Sequence, residues 1–423
     1  MERIFRNKFS SFSLFFVLFV LLGYRIAYWS NNDANGYNAA SWDAFGYYMY
    51  LPSIFIYDDV KQLKWVDEID AKYSVTGGTL YQAGKVKNQE TYTNKYLSGV
   101  ACLQLPYFLI AHGIARLSDH EEDGFSAPYQ YALLFGAIFN VFSGLWILKK
   151  VLQRYFTDKT IGFTLLFLGL TSNLIQYTSI DGAMSHAYIF PIYSFLLWLT
   201  IKWHDNPKQI TAVLIGAVIG LATISRPTEL IMIFIPLLWN TGSPENRKAK
   251  WLLVKRFRWH IVFALLGGLI AMLPQFIYWK YTTDSFIYNV GSKWFFLNPW
   301  FRVLFGPEKG WFLYTPVAII MILGLFFIRK MEFNRSVIVF IILNIWIIIS
   351  WSDWTYGASY STRALVQSYP IFALPLAAFI TEVSTKQWSV IILTLLLLLL
   401  TWLNFYQIGI YNEGILEGFS PMV

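Results

Sequence analysis

Charged residues are scarce: Asp, Glu, Lys and Arg make up 14% of the 423 residues, against roughly a quarter in an average soluble domain. A globule of this length needs a charged surface to stay in solution, so the soluble class is excluded, and disorder and coiled coils with it. Cysteine occurs once, at Cys102, which excludes an intrachain disulfide and any multi-cysteine metal site. There is no internal repeat, low-complexity linker or separate soluble domain. What is abundant is apolar: 56% of the residues are hydrophobic and 19% aromatic, gathered in runs. Helices that satisfy their own backbone polar groups are the form such runs take in lipid, so the reading is an all-α polytopic membrane protein. The net charge of +8 would point to nucleic acid in a soluble chain. Here short basic loops facing the cytoplasm account for it, and no nucleic-acid partner is expected.

A spanning helix needs about 20 mostly apolar residues. Eleven segments serve: 9–29, 131–148, 160–177, 184–201, 209–224, 230–241, 260–279, 311–328, 336–350, 364–380 and 388–408. The first follows Arg3, Arg6 and Lys8, lacks a small-residue cleavage site, and reads as a retained span with a cytoplasmic N-terminus. Segment 96–115 is ambiguous: long enough to span, but carrying Gln104, Pro106 and His112. If it spanned, the basic clusters around Arg154, Lys250 and Arg329 would face outward, against the positive-inside rule. It therefore reads as a helix that lies along the outer face or re-enters the membrane from it, within a large extracytoplasmic loop at 30–128. The whole chain, 1–423, is then a single transmembrane domain.

That topology puts the unusual polar residues on the outer side. Asp43 lies in SWDAFGYYMYLP. A partly buried carboxylate at a membrane edge can act as a general base, or it can be a helix cap or solvated acid, and Asp33 competes for the role. Asp181 and His186 lie at an outer mouth, where ionisable groups suggest function. Their spacing supports a two-ligand metal site only weakly, and Asp181 could simply cap a helix. Arg226 and Glu229, in SRPTEL, could bind substrate or pair with each other. Lys309 and Arg363 are cations in short outer loops, against the usual bias, and call for an anion such as a lipid phosphate or ordinary head groups. Asp353 stands in the same string as Arg363.

The pattern resembles the GT-C superfamily of integral membrane glycosyltransferases, in an uncharacterised bacterial branch. The residues that carry it are Asp43 with its aromatic sequel WDAFGYYMYLP, Lys95 in NKYLSGVACLQLP, and Asp181 in the next outer loop. The Lys95 segment lacks the family's Lys-Pro-Pro or His-Pro-Pro start. The strings KGWFLYTP and WTYGASYSTRALVQSYPIFALPLA resemble segments of that branch. The resemblance implies sugar transfer from a polyprenyl-phosphate donor to an extracytoplasmic glycan, lipid or protein acceptor, in a bacterial inner (plasma) membrane. It implies Asp43 as the base of an inverting displacement, with Asp181 and His186 orienting the acceptor, the base or a divalent cation. Lys309, Arg363 and Lys95 would then face the donor phosphate, and Arg226, Glu229 and Asp353 the substrate. A lipid or glycan flippase is the rival class and would show broken helices with polar groups at mid-membrane. A non-catalytic assembly subunit is the third, and it would tolerate loss of Asp43.

Overall fold

The computed structural model describes residues 8–32, 39–87 and 89–415; Asp33, the competitor of Asp43, lies outside them. The chain is helical apart from one two-stranded antiparallel ribbon, β1 (Ala83–Lys85) with β2 (Tyr92–Asn94). The helices of the argument are α1 (Lys8–Asn32), α2 (Asp43–Tyr48), α3 (Tyr50–Phe55), α4 (Val66–Tyr73), α5 (Gly99–Arg116), α6 (Ala127–Leu152), α7 (Asp158–Leu170), α8 (Ser185–Asp205), α9 (Gln209–Ser225), α10 (Pro244–Arg256), α11 (Trp259–Thr283), α12 (Asn334–Ile349), α13 (Tyr369–Val383) and α14 (Gln387–Asn412).

All eleven predicted segments are helical. Among the described residues five helical stretches are long and apolar enough to cross a membrane unaided: Lys8–Tyr28, Ala127–Leu152, Trp259–Thr283, Arg363–Val383 and Gln387–Asn412. The other six are shorter, broken or less apolar, and the breaks have local causes. After α7 the hydroxyls of Thr171 and Ser172 turn back onto the carbonyls of Phe167 and Leu168, at 2.7 and 2.6 Å, and the chain goes on as a π-turn over Gln176–Ile180. Asn404 of α14 donates to the freed carbonyls of Leu170 and Ser172, the repair that lets an irregular helix sit in a bundle. Segment 311–328 divides at Pro316, which has no N–H to continue a ladder.

Two helix classes differ in what they face. α13 is sealed on all sides, with Phe372, Ala373 and Leu374 fully buried against α8 and α7. α11 and α14 leave Leu265, Ile270, Ile277, Leu395, Leu398 and Trp402 exposed. Apolar area costs about 25 cal/mol per Å² in water, so faces of this size suit hydrocarbon.

The first loop folds into a cap with its own aromatic core. Phe45 and Tyr48 of α2 meet Trp65 and Phe125, and Tyr57 stacks on Trp65 at 4.8 Å. Segment 96–115 is largely α5. Its Gln104 is buried and donates to the Ala183 carbonyl at 3.0 Å, and His112 bonds the Tyr129 hydroxyl at 2.6 Å. The polar groups that make it a poor lipid-facing span are turned onto protein.

Candidate active site

The cap holds Asp43 through a change of periodicity, from helix to strand. Asp43 opens α2, and one turn on stands Gly46. A Cβ at Gly46 would sit 2.2 Å from the Tyr96 ring, so only glycine lets that ring lie across the helix with its hydroxyl on Asp43. The ribbon aims a second hydroxyl at the same atom. Its register pairs Ala83 with Asn94, and the ladder continues as Lys95 N–H donates to the Gln82 carbonyl. Side chains alternate faces along a strand, so Tyr81 and Tyr96, two residues beyond the paired ends, reach one side. Both donate to Asp43 Oδ1, Tyr81 at 3.1 Å.

The other carboxylate oxygen, Oδ2, accepts from the Arg363 guanidinium at 2.5 Å. Arg363 begins a 3₁₀ turn, Arg363–Ser368, and that turn is anchored one residue group further on. Gln367 donates to Glu229 at 3.0 Å and meets the His186 ring nitrogen Nδ1 through its carbonyl at 2.8 Å. Tyr193 donates to the other Glu229 oxygen. Asp43 and Arg363 are neither sealed nor open, with side chains 23% and 13% exposed. Burial alone would raise the Asp43 carboxyl. Arg363 and the hydroxyls of Tyr96 and Tyr81 outweigh it and hold the carboxyl below the usual range.

Asp181 follows the π-turn and accepts from the Gln176 amide at 2.9 Å, with Asn412 bonded to the same amide. Burial pushes its carboxyl above the usual range. The Gln176 hydrogen bond and the charges of Arg363 and Arg25 offset this only in part. Tyr411 feels the charges of both Asp181 and Arg363, so the two acids border one region.

The remaining candidates divide. The charges of Arg226 and Arg363 are both felt at Tyr356 and His186. Arg226 makes no ion pair with Glu229 among the described residues, so Glu229 is held by Tyr193 and Gln367. His186 serves the anchor of Arg363 and engages Gln367, not Asp181. Lys309, expected at the donor phosphate, is placed otherwise: its ammonium donates to the carbonyls of Thr355 and Gly357 and to the Ser359 hydroxyl. All three of its donors are occupied, and it ties down the loop that leads to Arg363. Burial, with the nearby Arg363 charge, pulls the Lys309 ammonium down to about 8. Lys95, expected there too, is exposed and lies along Gly84; sitting between Asn94 and Tyr96, it takes the opposite face of the ribbon. Asp353 is exposed and accepts from Thr355. Among the described residues no three His, Cys, Asp or Glu side chains converge as a metal site. Tyr81, Tyr96 and Gln367 are additions that the sequence reading did not single out. For Tyr81 and Tyr96 the one signal is their place two residues beyond the ends of the ribbon at 83–85 and 92–94; Gln367, in the turn Arg363–Ser368, has none.

Chemically, the arrangement offers a carboxylate held below the usual range with a guanidinium against it. No known family model matches the chain, and no curated protein sequence does. Among solved structures it is similar to the archaeal oligosaccharyltransferase AglB from Archaeoglobus fulgidus, in complex with an inhibitory peptide and a dolichol-phosphate. The TM-score is 0.53 and the identity 12%, over 98% of this chain and 56% of that one. The chain thus spans little more than half the length of that protein, and the likeness is one of fold.

Proposed function

We propose that this protein is a GT-C-type membrane glycosyltransferase that moves a sugar from a polyprenyl-phosphate donor to a hydroxyl-bearing acceptor outside the membrane. The observation that carries the reading is the pair Asp43–Arg363, brought together from opposite ends of the chain and left part-exposed. Asp43 takes the proton of the acceptor hydroxyl as its oxygen attacks the anomeric carbon. The bond from that carbon to the phosphate oxygen breaks on the opposite side, and the polyprenyl phosphate leaves with the electron pair. A single displacement of this kind inverts the anomeric centre. The leaving phosphate needs no proton, since Arg363 and Arg226 receive its charge, Arg363 in a planar two-point contact.

The same pair sets an order of events. While Arg363 holds Asp43, the carboxylate is a weak base. A donor phosphate competes for the guanidinium, and as Arg363 turns to it the burial of Asp43 acts without its main opponent. The carboxyl then rises toward the working range of a general base. Lys309, Gln367 and Glu229 act behind Arg363 by fixing its loop and turn. The bacterial inner membrane, with this site on the outer face and basic Arg154 and Lys250 in the cytoplasm, is part of the proposal.

Mass spectrometry of lipid-linked saccharides and envelope glycans tests it, in cells carrying the wild-type chain, Asp43→Asn or no copy. Loss of one glycan modification with accumulation of one lipid-linked sugar is expected in both deficient strains. Identical lipid and glycan profiles in all three strains would remove the transferase reading.

A further inference from the structure

The residue before Asp43 stands in a conformation that tryptophan rarely adopts. Trp42 has φ 55° and ψ −125°, the second position of a turn closed by Ala44 N–H donating to the Ser41 carbonyl at 3.1 Å. Positive φ there is glycine's territory, and a bulky residue is strained by it. The backbone is pinned on both sides: Trp42 N–H donates to the Val75 carbonyl at 2.9 Å, and its carbonyl accepts from the Gln82 amide at 3.1 Å. The ring is held as well. It lies on Gly77, where a Cβ would come within 2.5 Å of it, and beside the Tyr81 ring at 6.5 Å between centroids. Yet the residue is 57% exposed. A large ring kept rigid, strained and uncovered adds little to packing. Strain of this sort is retained where a site needs it.

We propose that Trp42 is the platform on which the acceptor lies, and that the acceptor is a carbohydrate. One face of a pyranose is lined with C–H groups, which pack against the negative face of an aromatic ring. A ring fixed one residue from the base would set a sugar hydroxyl at Asp43, while Tyr81, which touches both, registers one to the other. This rests on the transferase reading and narrows its acceptor from glycan, lipid or protein to the first. The sugar lies on the acceptor side, because the donor phosphate is assigned to Arg363, across the carboxylate.

Two arms separate this inference from the reading beneath it. In the first, saturation-transfer-difference NMR in detergent measures binding of methyl glycosides and short oligosaccharides to the full chain. Trp42→Gly relaxes the turn, so its melting temperature should equal or exceed that of wild type, while saccharide binding weakens at least tenfold; Trp42→Phe should keep most of it. Trp251→Ala, at an equally exposed tryptophan of α10 (48% exposed), should bind as wild type does. In the second arm, transfer from undecaprenyl-phosphate sugars is measured with saccharide, serine-peptide and lipid acceptors. Trp42→Gly should raise KM for the saccharide at least tenfold and leave the donor KM unchanged. Saccharide binding lost in Trp42→Gly supports the platform even if no transfer is found, which would count against the transferase alone. Undiminished binding in Trp42→Gly, or transfer to peptide or lipid that ignores Trp42, overturns the platform even if the chain proves a transferase. If the substitution changes only partition into vesicles, the ring is a membrane anchor and the inference fails.

Discussion

Asp43 and Asp181 are two carboxyl groups in the field of one guanidinium, and their surroundings push them in opposite directions. Asp43 touches Arg363 and two tyrosine hydroxyls and is held below the usual range. Asp181 is bonded to an amide and is raised by burial. Pairs of acids whose environments drive them apart mark a division of labour. The partner within hydrogen-bond reach decides the direction: a cation in contact outweighs burial at Asp43, while at Asp181 the same cation, further off, does not.

The largest effect should come from exchanging the two acids for their amides. Asp43→Asn cannot take a proton, and general-base catalysis typically contributes about 10²–10⁴-fold, so a loss of that order in kcat is expected. Asp181→Asn replaces a group already biased to the neutral form and should stay within about tenfold of wild type. Equal losses measured with one lipid donor would end the distinction between them.

Arg363→Lys keeps the charge and forfeits the planar contact. A drop of about 10- to 100-fold in kcat/KM for the donor is expected, with Arg363→Ala lower still. Retained donor use in both would move the phosphate elsewhere, with Arg226 the next candidate. The pair also predicts a pH signature. The acid limb of kcat/KM reports the free enzyme and that of kcat the bound complex. In the proposed order donor binding would draw Arg363 from Asp43, so the limb in kcat should lie at higher pH than the limb in kcat/KM. Coincident limbs would mean that the pair stays closed during turnover.

Stability should split the acids again, by less. A carboxyl lowered in the fold stabilises it above its unfolded value of about 3.9, and that contribution is lost as pH falls through the lower folded value. Wild type should therefore lose melting temperature below about pH 4 more steeply than Asp43→Asn. Asp181 is raised, so its contribution is lost as pH rises through its folded value. Asp181→Asn should melt at or above wild type near pH 7, by scanning fluorimetry in detergent. The smallest effect is set by single hydroxyls. Tyr96→Phe removes one hydrogen bond, worth about 0.5–1.5 kcal/mol, and should shift the acid limb of kcat/KM upward with a loss of roughly 2- to 10-fold.

The apolar runs were legible because a 20-residue hydrophobic stretch has few other homes; the polar residues of 96–115 pointed to an interfacial helix, and that Gln104 and His112 would meet Ala183 and Tyr129 was not legible. Asp43 stood out by its aromatic sequel. Its partnership with Arg363 did not, because nothing local in WTYGASYSTR records which of the outer carboxylates it will meet. The partners of Lys309 were not legible for a related reason. A cation in an outer loop reads as an anion site, and the carbonyls that occupy it belong to residues 355–357, whose backbone geometry is invisible in residue types. The breaks near Thr171 and Pro316 were written in hydroxyls and proline, but which carbonyls Asn404 would rescue depends on the packing of α14 against α7. Tyr81 and Tyr96 needed the ribbon register, which two three-residue strands scarcely announce.

The 320 residues between Asp43 and Arg363 also set a timetable. At about 5–20 residues per second of synthesis, roughly 16 to 64 s separate the emergence of the carboxylate from that of its cation. Through that interval the cap can close around Tyr81 and Tyr96, but Asp43 lacks the charge that keeps it ionised, and no donor phosphate has a receptor. A nascent chain halted before Arg363 would carry Asp43 in the cap without the cation that faces it.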